Sequence, residues 1–119
     1  MEATGRSKIG PMPNAITPCP VEEAIRVIGG KWKLLVLRSL LLNGPQRYGE
    51  LRDSVASISQ KELTRNLREL SAAGLVSRDT GEARAAAYAL TKLGKGLMPT
   101  FKTLLGWGTK LLEANRRTA

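Results

Sequence analysis

The stretch SQKELTRNLRELSAAG, running from Ser59 to Gly74, decides the fold. Ser59 followed by Glu62 is the pattern of a capping box, in which the serine hydroxyl accepts from a free backbone N–H of the first helical turn. Leu63, Leu67 and Leu70 recur at intervals of four and three, which places them on one buried face. Gln60, Lys61, Thr64, Arg65 and Arg68 fall largely elsewhere on that helix, and Gly74 ends it. A helix with an apolar back and a basic, hydrogen-bonding front suits the major groove of DNA, which admits an α-helix.

Upstream, Ala56-Ser57-Ile58 reads as a tight turn after a helix over roughly Gly49 to Val55, whose buried side includes Leu51 and Val55. The two helices form a helix-turn-helix unit. Gln46 to Tyr48 reads as a short extended piece. A helix from Lys31 to Leu42 carries Leu34, Leu35, Leu37, Leu40 and Leu41 over a wide arc, as expected near a core centre. Asn43-Gly44-Pro45 stops it. A first helix opens at Thr17-Pro18-Cys19-Pro20, with Pro20 suited to the first helical position and Glu22 and Glu23 facing the positive end of the dipole. Val21, Ala24, Ile25 and Ile28 share one face of it, and Gly29-Gly30 ends it.

Downstream, Leu75 to Asp79 and Ala86 to Leu90 read as two strands around a turn at Thr80 to Arg84, a hairpin that would be the wing. Thr91 then caps a long helix reaching to about Ala114, bent at Pro99, with Leu93, Leu97, Phe101, Leu104, Leu105, Gly108, Leu111 and Leu112 at helical spacing. The expected fold is mainly α with a small β-hairpin, a winged helix-turn-helix with a long C-terminal dimerisation helix. Residues 1–17 are expected to be a flexible arm, 18–115 the winged domain with its dimerisation helices, and 116–119 a tail.

Composition narrows the function. The chain has 119 residues, 42% of them hydrophobic but only 4% aromatic, so its one core must be built from Leu, Ile, Val and Ala. The net charge of +9 attracts polyanions, nucleic acid first among them. There is no His and one Cys, which removes a Ser-His-Asp triad, His-based metal ligation, a zinc site and an intrachain disulfide. Gly29-Gly30-Lys31 is no P-loop, because Trp32 stands where Ser or Thr is needed. An enzyme, a cofactor and a metal are not expected. No apolar run approaches the roughly 18 to 20 residues that cross a bilayer, and Met1 to Thr17 lacks the apolar segment of a signal peptide. A cytoplasmic protein without a membrane partner is expected.

Gln60, Lys61, Thr64 and Arg65 occupy the first two turns of the capped helix, where base edges are reached. Arg65 and Lys61 suit guanine, Gln60 adenine, and Thr64 a thymine methyl, while Arg68 lies a turn further and suits phosphate. Arg84 at the wing tip suits the minor groove or a phosphate. Lys31 and Lys33 open the second helix, where free N–H groups already favour an anion. Arg47, Arg52 and the arm residues Arg6 and Lys8 are weaker candidates. For each of these side chains the alternative is a solvated surface charge, and for Lys31 and Lys33 a half-buried stem with its head in water. The last helix, about 24 residues and roughly 36 Å long, exceeds what its own domain needs. It would strand Leu104, Leu105, Trp107, Leu111 and Leu112 in water. Pairing with the first helix (Val21, Ile25) and last helix of a second copy would cover them. Two-fold pairing implies an inverted-repeat operator. A winged-helix module that binds a protein partner without specific DNA binding is the alternative. An RNA-binding domain is opposed by the absence of an aromatic platform.

The sequence resembles the HxlR-type family of bacterial winged helix regulators, relatives of the MarR-like group. The likeness is carried by Cys19-Pro20-Val21-Glu22, Ile28-Gly29-Gly30-Lys31-Trp32-Lys33 and Tyr48-Gly49-Glu50-Leu51. It continues through Ile58 to Thr64, Leu67-Arg68-Glu69-Leu70, Gly74-Leu75-Val76 and Tyr88-Ala89-Leu90-Thr91. The resemblance implies a homodimer on operator double-stranded DNA, with a small-molecule or oxidant effector open; a repressor is expected, with an activator the alternative. Some members sense electrophiles or oxidants through a cysteine where Cys19 stands. With no second Cys, a disulfide between unlike positions of two subunits is unavailable here. The other reading of Cys19 is a small residue that packs and caps.

Overall fold

The computed structural model describes residues 19–79 and 87–118. In chain order it holds α1 (Pro20–Ile28), α2 (Lys33–Asn43), α3 (Tyr48–Ser54) and α4 (Gln60–Ala72). The strands β1 (Val76–Asp79) and β2 (Ala87–Leu90) follow, then α5 (Lys92–Lys95) and α6 (Met98–Thr118). The arm expected over residues 1–17 and the wing tip with Arg84 lie outside the described residues.

The core is aliphatic, as the scarcity of aromatics requires. Val36, Leu37 and Leu40 of α2 meet Leu51 and Val55, Ile58 of the turn, Leu63, Leu67 and Leu70 of α4, and Val76 of β1. Each fully buried leucine here contributes about 1.5–3 kcal/mol relative to exposure. The only strongly buried polar side chain on the apolar face of α4, Asn66, donates to the Glu62 carbonyl at 2.6 Å.

Local chemistry explains the boundaries. Ser59 Oγ accepts from the Glu62 N–H at 3.1 Å, which starts α4 as expected. At its end Gly74 takes φ +83°, Leu75 N–H bonds the Leu70 carbonyl at 3.0 Å, and Gly74 N–H bonds that of Ser71 at 3.0 Å. That pairing is a Schellman motif, which needs a left-handed residue. Helix α2 begins at Lys33 rather than Lys31, because Gly30 turns the chain at φ +96° and Trp32 becomes the N-cap with its ring against the core. The turn between α3 and α4 places Ser57 at φ 70°, a left-handed non-glycine.

The hairpin is antiparallel, with Val76 opposite Leu90 and Arg78 opposite Tyr88. The extended piece expected over Gln46 to Tyr48 shrinks to Gln46, which bridges Tyr88 through both backbone bonds, at 2.9 and 2.7 Å. Tyr48 instead opens α3. The buried Gln46 amide donates to Ser39 Oγ at 2.8 Å and the Ser39 carbonyl at 3.0 Å, and it accepts from Ser54 Oγ at 3.3 Å. Gln46 thus ties α2 to α3 through its side chain and joins the sheet through its backbone.

The C-terminal helix departs from expectation. It is not one helix bent at Pro99 but two, broken at Gly96-Leu97. Thr91 caps the short α5, its Oγ1 accepting from Gly94 N–H at 3.1 Å. Gly94 is pressed so closely on β1's entry that a Cβ there would lie 2.3 Å from the Leu75 carbonyl oxygen. The chain then restarts at Met98, which brings Pro99 into the first turn of α6. There its missing N–H costs nothing, whereas a helix-interior proline costs about 3 kcal/mol. Leu93 consequently leaves the apolar face and is exposed, and α6 continues past Ala114 through most of the expected tail.

Phe101 is the last described residue of α6 that is buried. Helix α1 has no buried residue at all. No described helix is long and apolar enough to cross a membrane.

Candidate nucleic-acid interface

The leucines of α4 face inward, so the residues between them face out. Gln60, Lys61, Thr64, Arg65 and Arg68 are all exposed and line one shallow concavity on the surface. Nothing among the described residues covers it. The five side chains read from sequence as one set are therefore brought together by the structure.

Their individual settings differ. Arg65 pairs with Glu62 one turn back, so the Glu62 carboxylate faces the guanidinium rather than closing the capping box on Ser59. The pair is half exposed and adds at most about 1 kcal/mol to stability. Thr64 Oγ1 lies 2.9 Å from the Tyr48 hydroxyl, which also donates to the Gln60 carbonyl at 3.0 Å. The phenol therefore ties the start of α3 to the first turn of α4.

Lys33 and Lys31, neighbours in sequence, go different ways. Lys33 Nζ bonds the Glu69 carboxylate of α4 at 2.5 Å, and its side chain is only 18% exposed. The contact braces α2 against α4 and draws Lys33 away from solvent. The Lys33 hydrogen bond, then its charge, holds the Glu69 carboxyl below its ordinary pKa, with Arg65 and Arg68 adding smaller effects. Lys31 precedes α2, is exposed, and lies 4.6 Å above the Trp32 ring, a cation–π contact. Arg47 and Arg52 are exposed at either end of α3. Arg47 caps that helix, its backbone N–H bonded by Glu50 at 2.7 Å.

Other contacts were missed by sequence reasoning. The sequence places Tyr48 in an extended piece and in a family motif and gives it no part in the interface. Glu50, an acidic residue three positions after Arg47, was the local sign that a helix starts there. Arg78, stacked 5.5 Å over Tyr88 across the hairpin, had no signal because it depends on strand register.

Away from α4, the apolar residues assigned to an interface are uncovered. Val21 and Ile25 on α1 are 65% and 62% exposed, and Leu104, Leu105, Trp107, Leu111 and Leu112 on α6 are 42–64% exposed. Cys19 is the half-buried N-cap of α1 and a free thiol. In the same first turn Glu23 pairs with Arg26 at 2.6 Å, and the guanidinium lowers the Glu23 pKa.

The sequence profile of the HxlR-like helix-turn-helix family matches residues 27–116, which span α2 to α6 and nearly all of the core. The chain belongs to the HxlR-like family. Similar proteins agree. The HTH-type transcriptional regulator YkvN of Bacillus subtilis is 46% identical over 92 residues, covering 76% of this chain and 77% of that protein. The quinone-bound YodB of B. subtilis superposes with a TM-score of 0.68 at 31% identity, covering 77% and 99% of the two chains. The redox regulator HypR in its oxidised form gives 0.64 at 38% identity, covering 77% and 96%. This HxlR-like chain is thus a winged helix-turn-helix protein of a transcriptional-regulator family, and its relatives are named as regulators rather than enzymes.

Proposed function

We propose that this protein is a homodimeric repressor that reads an inverted-repeat operator in double-stranded DNA through α4, and that Cys19 makes it responsive to electrophiles or oxidants. The observation that carries the reading is the exposed face of Gln60, Lys61, Thr64, Arg65 and Arg68 on a helix whose other side is anchored in the core. Rigid backing fixes where those donors lie, as discrimination between bases requires.

Arg68 and Lys31 contact phosphates in this reading, with Arg84 reaching the groove or backbone beside the wing. Lys33 acts at one remove, steadying α4 through Glu69. Pairing through Val21 and Ile25 of α1 and Leu104, Leu105, Trp107, Leu111 and Leu112 of α6 is supported by their exposure. Large apolar side chains left uncovered on a helix face mark an interaction surface. A two-fold pair sets two α4 helices for successive major grooves about 34 Å apart. Occupying such a site blocks transcription. The Cys19 assignment is supported by its half-buried place at a helix N-cap and by quinone-bound and redox-named structural neighbours.

The test is selection of binding sites from random duplex DNA, followed by binding measurements across salt. Specific reading gives an inverted repeat, a steep salt dependence, and an Arg65→Ala loss of about 1–3 kcal/mol confined to one base position per half-site. An equal loss on all sequences refutes base reading by Arg65. Cys19→Ser that responds to a quinone just as the parent does refutes the sensing role.

A further inference from the structure

We propose that the Tyr48 hydroxyl determines which bases Thr64 can read, by taking up the only hydroxyl proton that Thr64 has. The inference rests on α4 being the DNA-reading surface.

Three oxygens are involved: the Gln60 carbonyl, 3.0 Å from the Tyr48 hydroxyl, and Thr64 Oγ1, 2.9 Å from it. A phenol has one proton and a carbonyl can only accept. Both contacts are hydrogen bonds together only when Tyr48 donates to the carbonyl and accepts from Thr64. The proton of Thr64 is then spent inward. Because a β-branched side chain has few χ1 wells, the same bond fixes where the Thr64 methyl points.

What Thr64 turns outward is therefore a methyl group and an oxygen lone pair. These suit a thymine methyl or the exocyclic amine of adenine or cytosine. Guanine O6 and purine N7 are acceptors and need a donor, which a tethered Thr64 does not provide. Without the Tyr48 hydroxyl, Thr64 is released to rotate, to bond back to the carbonyl four residues earlier, or to donate to a base. The Tyr48 ring packs against the core independently of its hydroxyl, so Tyr48→Phe removes the tether and keeps the packing. Tyr48 is thus a positioning residue, and Thr64 is the residue that meets DNA.

The experiment measures base preference at every operator position for the parent, Tyr48→Phe, Thr64→Val and the double variant, on sites selected from random duplex DNA. Thr64→Ala first identifies the base pair that Thr64 faces. Tyr48→Phe is expected to relax preference at that pair by about fivefold or more, the lower edge of what one mismatched pair costs, and to leave the other positions alone. Valine keeps the methyl and has no proton, so in the Thr64→Val background Tyr48→Phe should change nothing. An equal loss at all positions would reduce Tyr48 to a brace between α3 and α4. No effect of Tyr48→Phe, or an effect that persists in the valine background, overturns the proposal. If the parent selects no sequence, DNA reading itself fails, an outcome distinct from a parent that selects and a Tyr48→Phe profile that stays unchanged.

Discussion

Leu112→Ala tests pairing through α6, because the structure supplies a matched control. Leu112 is 64% exposed on α6 and Leu93 is 66% exposed on α5, the same residue type with the same exposure in two places. Full burial of a leucine is favourable by about 1.5–3 kcal/mol. Covering the two-thirds of Leu112 that now meets water is therefore favourable by about 1–2 kcal/mol, and a two-fold interface counts it twice. Truncation to alanine forfeits most of about 2–4 kcal/mol, which raises the dimer dissociation constant about 30- to 700-fold at 1.4 kcal/mol per decade. The single chain itself should not suffer, since no described residue of α6 beyond Phe101 is buried. Sedimentation velocity over a concentration series reads the constant, and far-ultraviolet circular dichroism checks that the fold persists. Leu93→Ala should leave the constant where it was. The reasoning is refuted if the two variants behave alike, or if the parent chain stays monomeric at micromolar concentration.

Two further outcomes follow from single contacts. Gly94→Ala must push α5 away from the Leu75 carbonyl, where the new Cβ would lie at 2.3 Å; a loss of about 1–3 kcal/mol in urea unfolding is expected, and an unchanged midpoint would show that α5 yields freely. The Lys33–Glu69 brace should show in the pH dependence of stability. Its carboxyl is held below the ordinary value in the folded chain, so the contribution is fully present above the usual carboxylate range and is lost as pH falls through the lowered folded pKa. Glu69→Gln should flatten that part of the acid limb in thermal unfolding; a limb of unaltered slope would assign it to other carboxylates.

What the sequence disclosed was local in origin. The cap at Ser59, the leucine spacing of α4, the stop at Gly74 and the Thr91 cap each follow from residues within about one helical turn of one another, so a linear reading reaches them. The bend expected at Pro99 is absent because proline also fits the first turn of a new helix, which is where the structure puts it. What separates the two is Gly94 packing on Leu75, a contact between elements. Gln46 was correctly extended, yet its partners Ser39, Ser54 and Tyr88 come from three other segments. The same limit applies at the exposed face of α4. Its five outward residues were evident from helical phase, while the distant contacts that fix α4 and its side chains were not: Tyr48 lies 16 residues from Thr64, and Lys33 lies 36 from Glu69. Spacing says which side chains share a helix face and is silent on which distant residue will fix their direction.

The distribution of charge points to a division of labour. The chain as a whole carries +9, but α4 holds three basic and two acidic side chains, a net of one positive charge. Attraction to a polyanion therefore comes mainly from the rest of the surface, where it is long-ranged and indifferent to sequence. On α4 the acidic residues lower the net charge and pair with basic side chains: Glu62 holds Arg65, and Glu69 holds Lys33. An arginine has five N–H donors in a rigid fork, so one can remain on Glu62 while others meet the two acceptors of a guanine edge. A lysine ammonium lacks that fixed fork and could not keep both partners in defined geometry. A reading helix near neutrality binds weakly where its donors find no acceptors, because little bulk charge masks the mismatch. Discrimination is a difference between two affinities, and under the proposed reading by α4, keeping the attracting charge off that helix enlarges the difference.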